Sequence, residues 1–135
     1  YVVDSEVSVT KAVTIQSLNG PEVTKVDGGG NNRCFYLGNR ACVLSGITVT
    51  NGYSARYPSS GFGGGGVYCR YSDSSMTNCT ISGNSAYDGG GVYNGTANNC
   101  SISGNSADAI PNGVKTNWFT APKKATSVLL KPLNP

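Results

Sequence analysis

Asn78-Cys79-Thr80-Ile81-Ser82-Gly83-Asn84-Ser85-Ala86 returns 21 residues later as Asn99-Cys100-Ser101-Ile102-Ser103-Gly104-Asn105-Ser106-Ala107. No gap interrupts the match. Between the copies, Gly89-Gly90-Gly91-Val92-Tyr93 echoes Gly64-Gly65-Gly66-Val67-Tyr68 upstream. A unit of about 20 residues is too short to bury its own apolar face, so it must stack on copies of itself. This repeat decides the fold.

Working outward, Cys42-Val43-Leu44-Ser45-Gly46-Ile47-Thr48-Val49-Thr50-Asn51-Gly52 aligns with both copies. Leu44 falls on Met76 and Ala97, Ile47 on Cys79 and Cys100, and Val49 on Ile81 and Ile102. The step from this unit to the next is 32 residues rather than 21. The surplus lies partly in 53–62, rich in Tyr, Pro, Ser and Gly, and partly in 70–75. Insertions in stacked repeats go to turns, which often carry whatever binding exists. Further upstream, 1–18 alternates Val7, Val9, Val13 and Ile15 with polar residues and predicts a strand. Val23-Thr24-Lys25-Val26 and Cys34-Phe35-Tyr36-Leu37 predict two more, bounded by Asn19-Gly20-Pro21, the run 27–32 and Gly38-Asn39.

Short strands joined by Gly and Asn turns, with no helical period, predict an all-β chain: a short parallel β-helix (solenoid) over 1–107, with inserted loops in 53–75. Residues 108–135 form an atypical C-terminal tail, a capping or oligomerisation segment. Residues 47, 49, 79, 81, 100 and 102 should face inward, and 48, 50, 80, 82, 101 and 103 outward. Asn84 and Asn105 should stack at a bend as an amide ladder.

Ile81-Ser82-Gly83-Asn84 with Gly89-Gly90-Gly91-Val92, and the copy Ile102-Ser103-Gly104-Asn105, resemble the paired F-x-x-N and G-G-A-[ILV] motifs of polymorphic outer-membrane protein repeats. The segments 13–30 and 44–52 resemble the first coils of right-handed β-helix proteins of the pectin-lyase-like class. The resemblance implies a right-handed coil and a bacterial, extracellular or cell-surface setting. It implies no single activity, because such folds serve lyases, hydrolases, adhesins and structural passengers alike.

Composition narrows the chemistry. Charged residues make up 13% of the 135, about half the usual share. Residues 109–135 carry +4 and residues 1–108 carry −1, too weak a pattern to call for nucleic acid. No stretch has the apolar length of a membrane span. The chain starts at Tyr1 without a signal-like segment, which reads as processing or excision from a longer protein. The five cysteines, 34, 42, 69, 79 and 100, lack CxxC spacing and no His is present, so neither a zinc site nor any other metal or cofactor is expected. Cys79 and Cys100 should stack, as buried thiols rather than as a disulfide.

Enzymes of the resembled class use grouped carboxylates. Of Asp4, Glu6, Glu22, Asp27, Asp73, Asp88 and Asp108, only Asp4 and Glu6 share a strand face, and no two acids lie one repeat apart. Solvated turn charges are the reading adopted. The glycine runs lack the Lys-Ser/Thr of a phosphate loop. Three glycosylation sequons, at Asn78, Asn94 and Asn99, read as coincidental. Thr48/Thr80/Ser101 and Thr50/Ser82/Ser103 form hydroxyl columns on a flat face, a pattern that ice-binding or sugar-binding surfaces use and that ordinary strand surfaces share.

Tyr53, Tyr57, Phe62, Tyr68 and Tyr71 are the candidate binding residues, since loop aromatics stack on sugar rings or anchor partners; they equally suit covering the base of the loop. Two functions remain. One is a non-catalytic module for surface interaction or carbohydrate or partner binding, within a larger passenger. The other is a carbohydrate-active enzyme, a polysaccharide lyase or glycoside hydrolase, with a site near 53–75. A homo-oligomer, most simply a dimer, is expected because open stack ends need covering.

Overall fold

The computed structural model describes residues 1–55, 63–107 and the backbone of Val128–Leu130. Among these residues the structure is all-β, and no helix is long and apolar enough to cross a membrane. The chain climbs in four rungs. The first contains β1 (Val7–Val9), β2 (Thr14–Gln16) and β3 (Lys25–Asp27). The second contains β4 (Phe35–Leu37), β5 (Val43–Ser45), β6 (Thr48–Thr50) and β7 (Tyr53–Ser54). The third contains β8 (Val67–Cys69), β9 (Ser75–Thr77), β10 (Thr80–Ser82) and β11 (Ser85–Ala86). The fourth contains β12 (Val92–Tyr93), β13 (Thr96–Asn98), β14 (Cys100–Ser103) and β15 (Ser106–Ala107).

Corresponding strands pair in parallel and build four sheets: β1-β4-β8-β12, β2-β5-β9-β13, β3-β6-β10-β14 and β7-β11-β15. Such stacking is compatible with a parallel β-helix. β16 (Val128–Leu130) pairs antiparallel on β14, so a strand from the tail covers the upper edge of the last rung in that sheet.

The register follows the repeat. Val26, Val49, Ile81 and Ile102 form one inward column, and Ile15, Leu44, Met76 and Ala97 another. All but the partly exposed Ile15 are buried. Burying each aliphatic side chain contributes about 1.5–3 kcal/mol, which is how strands of two to four residues hold together.

The corners need backbone that bends the wrong way for most residues. Gly46 (φ 66°), Asn78 (φ 53°) and Asn99 (φ 50°) turn the chain from one sheet to the next at equivalent positions. Asn51 (φ 51°), Gly83 (φ 66°) and Gly104 (φ 61°) do so at the following corner. Gly and Asn tolerate this left-handed region, which explains their recurrence in the repeat.

Just past that second corner lies the ladder. Asn84 Nδ2 donates to Asn105 Oδ1 at 2.9 Å and to the Val49 carbonyl at 3.0 Å. Asn105 Nδ2 donates to the Ile81 carbonyl at 2.8 Å, and both asparagines are buried. One rung below, the ladder ends at Gly52, whose N–H donates to Asn84 Oδ1 at 2.7 Å. A Cβ at Gly52 would lie 2.0 Å from the Gly65 carbonyl oxygen, so no side chain fits there.

Three expectations change. The stretch 1–18 holds two strands in different sheets, β1 and β2, separated by a bend at 11–12. Tyr53 and Ser54 form a strand rather than the start of a loop. Thr50, expected to face out, is buried.

Candidate functional site

In the sheet β1-β4-β8-β12, period two sends Phe35, Val67 and Val92 inward and their neighbours Tyr36, Tyr68 and Tyr93 outward. Strand spacing of about 4.8 Å is close to the spacing of offset stacked rings. The three tyrosines therefore form a column: Tyr36 and Tyr68 have centroids 5.6 Å apart at 6°, and Tyr68 and Tyr93 5.0 Å apart at 9°. Burial raises the Tyr93 hydroxyl above its ordinary pKa.

Arg33 precedes this sheet and lies against it, its guanidinium carbon 4.9 Å from the Tyr68 centroid. The side chain is only 7% exposed, and each nitrogen is used. Nε donates to the Gly64 carbonyl at 2.9 Å, Nη2 to Ser54 Oγ at 3.0 Å and Nη1 to Glu6 Oε2 at 2.6 Å. Arg33 thus ties the tyrosine column to the neighbouring sheet and fixes the Glu6 carboxylate. Glu6 is not the solvated turn charge the sequence suggested.

Two open grooves flank the turn 28–32. One, of about 200 Å³, is lined by Glu6, Asn31, Asn32, Arg33, Tyr53 and Ser54. Asn31 and Asn32 each donate one amide N–H, to the carbonyls of Gly29 and Val3. The other, of about 470 Å³, is lined by Val2, Asp27, Gly29, Asn51, Gly83 and Ser85. There the Gly29 N–H, together with the Asn51 amide, holds the Asp27 carboxyl below its usual range.

The candidate aromatics do not form one cluster. Tyr68 sits in the middle of the column, while Tyr53 lines the smaller groove and is 42% exposed. Arg33 touches the Tyr68 ring and lines the same groove as Tyr53. Tyr71 lies in the turn after β8, with Arg40 4.6 Å and Arg70 5.5 Å from its centroid. Tyr57 and Phe62 lie outside the described residues. Sequence reasoning missed Tyr36, Tyr93 and Arg33, and weighed Glu6 only as a solvated charge; the aligned Val67-Tyr68 and Val92-Tyr93 already carried the signal for two of the column's rings.

The other expectations can be located. Thr48, Thr80 and Ser101 are in register on the outer face, but the Thr48 hydroxyl donates to the Pro21 carbonyl at 2.6 Å and buried Thr50 interrupts the second hydroxyl column. Asp73 pairs with Arg40 at 3.0 Å in an exposed contact. All five cysteines are free and buried. Burial pushes the Cys34 and Cys69 thiols up to about 12. The side-chain hydrogen bond with Cys79 and then burial hold the Cys100 thiol above its ordinary value, against the opposing pull of the Cys79 N–H that donates to its sulfur at 3.4 Å. These thiols fill space as small apolar groups. Asn78 and Asn99 are exposed and bonded to each other. Among the described residues no three His, Cys, Asp or Glu side chains gather as a metal-ligand group.

No known protein family, curated protein or solved structure matches the chain.

Proposed function

We propose that the chain is a non-catalytic, right-handed parallel β-helix module whose outer surface binds a carbohydrate or a partner molecule. The observation that carries this reading is the outward column Tyr36–Tyr68–Tyr93, held by Arg33. Rigid aromatics lose little conformational entropy on binding and present broad contact area. Handedness follows from the strong preference of parallel strands for right-handed connections. The resemblance to polymorphic outer-membrane protein repeats and the pectin-lyase-like class agrees with both, and with a cell-surface setting.

The competing reading, a lyase or hydrolase near 53–75, is less well supported. Asp73 is exposed and paired with Arg40, and Glu6 is committed to Arg33. The deciding experiment combines a glycan array with a reducing-sugar assay on plant and bacterial polysaccharides. Retention of a glycan without release of reducing ends is expected. Turnover that survives purification to homogeneity would overturn the reading.

A further inference from the structure

We propose that the groove between Glu6 and Tyr53 is a subsite for one ring of an uncharged, hydroxyl-rich saccharide, and that acidic sugars are excluded from it. The proposal rests on the binding-module reading and goes further by fixing place and ligand class.

Size comes first. A groove of about 200 Å³ falls below the ~300–1,000 Å³ that houses drug-sized ligands, so it holds a single ring of a longer chain. A separate groove of about 470 Å³ lies on the other side of the turn 28–32.

Charge comes second. The groove's cation is spent: Arg33 is nine-tenths buried and donates to Glu6, Ser54 and Gly64. The Arg33–Glu6 pair carries no net charge, so the groove offers no pull on an anion or a cation. What it offers is one carboxylate oxygen and neutral amide groups. Glu6 binds Arg33 through Oε2 alone, and among the described residues no donor meets Oε1. Asn31 and Asn32 each spend one amide N–H on a carbonyl, which leaves each a second N–H and an amide oxygen for sugar hydroxyls. Sugar hydroxyls both donate to and accept from such groups, whereas the carboxylate of a uronic acid faces the Glu6 carboxylate with no uncommitted cation among the described lining residues to repay the loss of its water. Asp27, across the turn, places a carboxylate in the larger groove as well.

Shape comes third. Among the described residues that line this groove Tyr53 is the exposed aromatic, and its ring gives the apolar C–H face of a pyranose a surface to lie on. Arg33 holds Glu6 from beneath, so the acceptor is in place before the ligand arrives and less ordering accompanies binding.

The test is calorimetric titration of the full chain with cellohexaose, mannohexaose, maltohexaose and hexagalacturonate. At least one neutral hexasaccharide is expected to bind, equally at 50 and 500 mM NaCl, with hexagalacturonate at least tenfold weaker. Tyr53→Ala, Asn31→Ala and Glu6→Gln should each weaken that neutral ligand tenfold or more. Thermal melts identify any variant that has lost its fold, and Asn31→Ala, an exposed turn substitution, keeps the test usable if Glu6→Gln unfolds. Preference for hexagalacturonate overturns the assignment. So does neutral-sugar binding that all three folded variants retain, an outcome that leaves the binding-module reading intact and moves the ligand elsewhere. Absence of binding to all four probes overturns the subsite, while the glycan array separately decides the wider reading.

Discussion

At the scale of single residues, Ile81 and Asn84 divide the two kinds of burial on which a rung depends. Ile81 is fully buried between Val49 and Ile102, where an unpaired carboxylate costs several kcal/mol. Ile81→Asp should therefore fail to fold, seen as loss of the soluble species and of its β circular dichroism. Asn84→Ala removes the donors to Val49, Ser82 and Asn105 and strips the Gly52 N–H of its acceptor. With an unsatisfied buried group costing about 1–3 kcal/mol, it should lower the melting temperature clearly more than Asn31→Ala, whose side chain bonds one carbonyl in an exposed turn. Equal melting temperatures for the two variants would dispose of the ladder as a source of stability. These inward positions were legible because the repeat copies its apolar and Asn residues at fixed offsets. Arg33 and Glu6 were not. They lie 27 residues apart, and no repeated residue marks either one.

At the scale of elements, the sheet β1-β4-β8-β12 differs from the other three in what it shows outward. Its column of tyrosines follows from register: once Val67 aligns with Phe35 and Val92, the next residues must align as well. The sequence grouped Tyr68 with the aromatics of the insertion because it stands close to them in the chain. Pairing between rungs outweighs that proximity. Tyr68→Ala removes two stacked contacts worth about 0.5–1.5 kcal/mol each beyond area burial, and uncovers Arg33. A fall in the urea midpoint is expected, larger than for Tyr71→Ala, whose ring meets only arginines in a turn. Indistinguishable midpoints would mean that the column is decorative.

At the scale of the whole molecule, four rungs share one register and β16 pairs with the last of them. Val128–Leu130 adds an antiparallel strand to β14. At the other end Tyr1, Val2, Val13, Leu18 and Val23 are exposed on the first rung. We propose a homo-oligomer, most simply a dimer, and sedimentation across a micromolar dilution series checks it: a sharp 13.9 kDa species throughout would exclude it. Beneath all of this lies one claim, that successive rungs stack in register. Methyl nuclear Overhauser spectroscopy on Val49, Ile81 and Ile102 tests it most directly. Neighbours one strand spacing apart, about 4.8 Å, should give strong cross-peaks between Val49 and Ile81 and between Ile81 and Ile102. Val49 and Ile102, two spacings apart, should give none. A direct Val49–Ile102 cross-peak, or silence between Ile81 and either neighbour in the folded protein, would contradict the stack.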